Sequence, residues 1–142
     1  MFWGKKERPD KDLGKELGQL NSMARALLEA SGVDFDGASA LQQALVGTFF
    51  FGMVSAHGMA GRMKPIEIHA LALQAFQDSL HYTPDAAAQA VGACIEATKP
   101  SAHETMNAIL HRGIDGHAQF SAGDLEGLAS NVRSVLAHFD EG

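Results

Sequence analysis

Apolar residues along this chain recur at three- and four-residue intervals and show no sustained alternation, a pattern that predicts helices throughout and no sheet. Leu13, Leu17, Leu20, Ala24, Leu27 and Leu28 make the first stripe. They predict a helix from about Lys11 to Ser31, closed by Gly32 in the left-handed conformation that glycine adopts most cheaply. A second helix is expected from Asp36, read as its N-cap, to about His57 or Gly61. Its centre, Leu45–Val54, is apolar on every face, as befits the buried middle of a bundle. Pro65 marks the first turn of a third helix, with Ile68, Leu71, Ala72, Ala75 and Phe76 as its buried stripe. Thr83-Pro84 opens a fourth, which carries Ala87, Val91, Cys94, Ile95 and Thr98. Ser101-x-x-Glu104 and the weaker Ser121-x-x-Asp124 have the form of capping boxes and are expected to start the fifth and sixth helices. Leu125, Leu128, Val132, Val135 and Phe139 line the last.

Connections of two to six residues imply antiparallel neighbours. The expected fold is therefore all-α, a compact single-domain bundle of about six helices around a central apolar helix. Residues 1–9 are expected to be a disordered lead and 10–142 one helical domain. The chain's 142 residues suffice for one proper core, and 23 alanines strengthen the helical reading.

Charge narrows the class of partner. The net charge is −6, divided as +1 over residues 1–33 and −7 over residues 34–142. An acidic body argues against nucleic-acid binding, which needs clustered Lys and Arg. It suits a basic protein partner, and equally suits plain solubility. One cysteine, Cys94, excludes an internal disulfide and a thiolate metal cluster, and a cytoplasmic location is expected. The leading MFWGKKERPDKD has no apolar run of the kind a secretory signal needs. The uncharged stretch 37–61 holds Gln42, Gln43, Thr48, Ser55 and His57 among five glycines, so no membrane span is expected.

Chemistry is hard to place on these residues. Seven histidines invite a metal, yet His103-Glu104 is not followed by the second histidine of a zinc-binding helix. His103 and His111 share a ridge but stand about 12 Å apart along the axis, too far to chelate one ion. His57, His69, His81, His117 and His138 are scattered, so no metal site and no cofactor are expected. Cys94 occupies an apolar helical position where cysteines are usually inert, and no nucleophile elbow or phosphate-binding loop is present. After Asp34 and Asp36 the next alternate position is Ala38, which rules out a calcium loop. The expectation is a protein with no enzymatic activity.

One segment stands out: His111-Arg112-Gly113-Ile114-Asp115-Gly116-His117. Two glycines there cost helix stability, so a packing or functional reason is expected. One reading is a helix end with an Arg112/Asp115 ion pair; the other is a recognition patch at a special turn. At 100° per residue His117 falls about 20° from Met106, on the core side, while Arg112 and Asp115 fall on the solvent side. The candidate partner-binding residues are Asn107, His111, Arg112 and Asp115.

The string Met106-Asn107-Ala108-Ile109-Leu110-His111-Arg112-Gly113-Ile114-Asp115-Gly116 resembles the bacterial immunity protein 48 family. The apolar Phe49–Met53 run and Pro65-Ile66-Glu67-Ile68-His69-Ala70 share in the likeness, which spans about residues 40–120. The resemblance implies a small helical protein that binds and neutralises a cognate toxin and has no active site. It does not say which positions touch the partner. Two other readings of the residues stay open: a histidine-rich, metal-linked or sensory helical protein, and a homo-oligomeric structural or secretion-accessory protein built on a Gly/Ala-rich helix face.

Overall fold

A computed structural model describes residues 12–139. Among them are six α-helices and no strand: α1 (Leu13–Ser31), α2 (Ala40–Ala60), α3 (Pro65–Leu80), α4 (Pro84–Glu96), α5 (Glu104–Ser121) and α6 (Leu125–Phe139). A short 3-10 turn, Phe35–Gly37, joins α1 to α2. The expected lead, 1–9, lies outside the described residues.

Helix α2 is the axis of the bundle and touches each of the other five helices. Leu45–Val54 is buried without a break, so its lack of an apolar stripe reflects neighbours on every side. Phe49 and Phe50 are fully buried, each contributing about 1.5–3 kcal/mol by leaving water. The Phe50 ring meets Phe76 of α3 at 5.7 Å between centroids, and Phe76 meets Tyr82 edge-on at 5.3 Å.

The broadest contact in the molecule is that of α2 with α5. It depends on glycine. A methyl group at Gly113 would strike the Phe49 carbonyl oxygen and come 3.0 Å from the Gly52 Cα; one at Gly52 would strike the Leu110 carbonyl oxygen. A methyl group at Gly116 would lie 2.7 Å from the Phe49 ring. Helix α5 therefore runs unbroken through 113–116 to Ser121, and the expected helix end or special turn at this segment is corrected to a close helix crossing.

The caps refine several boundaries. Asp12 and Thr83 cap α1 and α4 by accepting from the Lys15 and Ala86 N–H groups, each at 3.2 Å, and Gly32 closes α1 at φ 72°. Ser39, not Asp36, caps α2, because the 3-10 turn occupies 35–37. His103, not Ser101, caps α5: its Nδ1 accepts from the Met106 N–H at 3.1 Å. Asp124 does the same for α6 by accepting from the Gly127 N–H at 2.8 Å, while Ser121 still belongs to α5. The fourth helix stops at Glu96, short of Thr98.

Candidate partner-binding surface

Helix α5 carries all four candidate residues, but the bundle sends them to two different places. Asn107 is half-buried, and its amide N–H groups donate to the Ala97 and Thr98 carbonyls at 2.9 and 3.3 Å. These two carbonyls are left over where α4 ends, so Asn107 fastens the end of one helix to the start of the next. His111, one turn on, is exposed. Both border an apolar groove between α2, α3, α4 and α5.

Arg112 and Asp115 face the opposite way, onto a shallow polar groove of about 600 Å³ shared with α6. Asp115 is exposed as expected. The solvent-facing placement of Arg112 is corrected: its Nε donates to the Asn131 Oδ1 at 2.7 Å and its guanidinium also reaches the Asn131 carbonyl at 3.1 Å. Asn131 is only 7% exposed, and its amide donates back to the Arg112 carbonyl and to Gln119 at 2.9 and 3.0 Å. Arg112 is thus part of a closed polar clasp between α5 and α6. No Arg112–Asp115 ion pair is formed at this site.

The apolar groove has a volume of about 620 Å³. Phe51 and Leu110 form part of its floor, and Met59, Ile66 and Ile95 stand along it. None of its lining residues is Asp, Glu, Lys or Arg; its polar side chains are those of Ser55, His69, Thr98, Asn107 and His111. Met59 is 60% and Ile66 75% exposed, which is unusual for large apolar side chains that lie close together. Ile95, one of the apolar residues carried by the fourth helix, opens onto this groove. Periodicity within each helix could not reveal the groove, because it arises where ends of three helices meet the middle of α5.

Folding also gathers two of the scattered histidines. The His57 Nε2 lies 2.6 Å from the Glu16 Oε1, and the His57 and His117 rings meet edge-on at 6.0 Å. Burial, and secondarily the charge of neighbouring His57, pushes the His117 pKa below its ordinary value. Among the described residues no group of three or more His, Cys, Asp or Glu side chains is arranged to hold a metal ion. Cys94 is buried, and burial pushes its thiol up to about 11, far from the thiolate form that reacts. Among the described residues no helix is long and apolar enough to cross a membrane.

A helical bundle with a closed polar clasp on one side and an open apolar groove on the other has the features of a binding protein. The chain belongs to the immunity protein 48 family, whose model matches residues 20–140. The match extends the likeness carried by the α5 string to nearly all of the described chain, α1 from Leu20 onward included. Neither a curated protein nor a solved structure matches the chain.

Proposed function

We propose that this protein is an immunity protein that binds a cognate toxin domain stoichiometrically, in the cytoplasm, and neutralises it without catalysis. The family match over residues 20–140 carries the reading. The chemistry of the side chains is in keeping with it: the lone thiol is buried and held in its neutral form, and an open groove on the surface is lined mainly by apolar side chains. Among the four candidate contact residues, His111 and Asp115 have side chains free to reach a partner, whereas Asn107 and Arg112 are held by intramolecular hydrogen bonds.

The test is co-expression with the C-terminal domain of the toxin encoded beside this gene. Protection from growth arrest, with a one-to-one complex recovered on purification, is the expected result. Failure to protect against every neighbouring toxin, with no complex recovered, removes the reading.

A further inference from the structure

The apolar groove and the charges around it specify the partner's chemistry more closely than net charge does. Acidic residues gather at the far end of the bundle. Asp34 and Asp36 lie in the α1–α2 connection, Asp78 in the last turns of α3, and Asp85 at the start of α4; Asp36 is 3.1 Å from His81, which closes α3. No Lys or Arg occurs in 26–61 or 65–98. The cations of the body fall elsewhere. Arg112 is spent on Asn131, and the Arg133 Nε donates to the Ala30 carbonyl at 2.8 Å. The other three sit beside the groove. Arg62 and Lys64 precede the lining residues Pro65 and Ile66, and Lys99 follows Thr98. The Arg62 N–H donates to the Met59 carbonyl at 3.1 Å, which ties this corner to the groove's most open edge. Of the carboxylates near that corner, Glu67 turns back to accept from the Lys64 N–H at 2.8 Å and caps its own helix, and Glu16 is paired with His57. Across the groove Glu96 stands near Lys99, so the positive charge is concentrated at the α2–α3 corner.

We propose that this groove receives the partner, and that what it receives is a segment of the toxin presenting apolar side chains flanked by carboxylates. The proposal rests on the toxin-binding reading above. Apolar anchors bury Met59, Ile66 and Ile95, whose exposure is otherwise uncompensated, and the flanking carboxylates meet Arg62 and Lys64. The imidazoles of His69 and His111 supply polar contacts that do not have to be freed from other bonds first. An apolar centre with a charged rim is the usual anatomy of an energetically productive interface.

The experiment measures affinity for the purified neighbouring toxin domain, inactivated at its catalytic residue, alongside thermal unfolding of each variant. Ile66→Glu and Met59→Glu alter exposed side chains, so melting is expected to hold while affinity falls at least about tenfold. Arg62→Glu is expected to weaken binding several-fold and Glu96→Lys to leave it unchanged or improve it. If the wild-type chain binds and protects but the two groove variants do so equally well, the groove is not the interface and the toxin-binding reading survives alone. If Arg62→Glu tightens the complex, the inserted segment is basic and the proposed chemistry is wrong. If the isolated wild-type chain is a dimer that Ile66→Glu dissociates, a second copy occupies the groove instead. If removing residues 1–11 raises toxin affinity tenfold, the chain's own lead occupies it instead. If the wild-type chain neither binds nor protects, the proposal falls with the reading it rests on.

Discussion

Where α2 crosses α5, one methyl group decides whether the helices can touch. Alanine at Gly52 or Gly113 would drive its Cβ into a backbone carbonyl oxygen of the facing helix, and neither backbone can yield without separating the two. Gly113→Ala is expected to cost about 3 kcal/mol in chemical denaturation, at the upper end for overpacking because rigid backbone is struck on both sides. Gly18 and Gly92 are helical glycines with nothing within 4 Å of an added Cβ. Alanine at either should stabilise by about 0.5–1 kcal/mol, and an equal gain at Gly113 would show that helix propensity, not contact, governs both. The glycines at 113 and 116 are conspicuous in the sequence because each costs a helix about 1 kcal/mol. What the sequence cannot say is that Phe49 and Gly52 of another helix stand opposite, so the same cost reads equally well as a helix end. Arg112 is a similar case. Its place on a helical wheel points outward, but the wheel does not know that Asn131 arrives from α6. Arg112→Ala is expected to lower stability by about 1–2 kcal/mol in urea unfolding, since it leaves the Oδ1 of the buried Asn131 without its donor, whereas Asp115→Ala should change it by no more than a few tenths.

Whole helices were more legible than their ends. The apolar stripes and the prolines at 65 and 84 are local signals, read correctly because a proline at a helix's first turn and a buried stripe do not depend on what packs where. Caps depend on a single side chain reaching a single N–H, and neighbouring candidates compete. Asp124 prevails over Ser121 because α5 stays helical as far as Ser121, which leaves Asp124 to accept from the Gly127 N–H. The junction of Glu16, His57 and His117 joins three elements, α1, α2 and α5, and has no signature in any one of them. It has a measurable consequence. The folded protein holds the His117 pKa below the unfolded value of 6.5, so the unfolded chain binds the proton more readily. The stability that a neutral His117 provides is fully present above about pH 6.5 and is lost as pH falls through its depressed folded pKa. Melting temperature is therefore expected to fall between pH 7.5 and pH 5, and His117→Gln to flatten that slope. An unchanged slope in the variant would assign the pH dependence to other groups.

At the scale of the whole molecule, net charge and local charge make separate predictions. Residues 34–142 carry −7, and this field extends beyond the surface over a Debye length of about 10 Å at 0.1 M salt. It acts on a partner before contact, so under the proposed function it is expected to govern how fast a basic toxin domain arrives. In the proposed complex the groove acts only after contact, when Met59 and Ile66 lose their water and Arg62 meets a carboxylate, and so is expected to govern how slowly the complex comes apart. A domain can be basic overall and still present an acidic, apolar segment at the point of insertion, because the second interaction is short-ranged. The two contributions separate in a kinetic experiment on the complex with the neighbouring toxin domain. Raising salt from about 0.05 to 0.5 M is expected to slow association roughly tenfold or more and to change dissociation by less than about twofold. Ile66→Glu is expected to do the reverse, speeding dissociation about tenfold with association altered only slightly, since one added carboxylate barely changes a field set by many. Should salt act on dissociation instead, and Ile66→Glu on association, the roles assigned to the acidic body and to the groove would have to be exchanged.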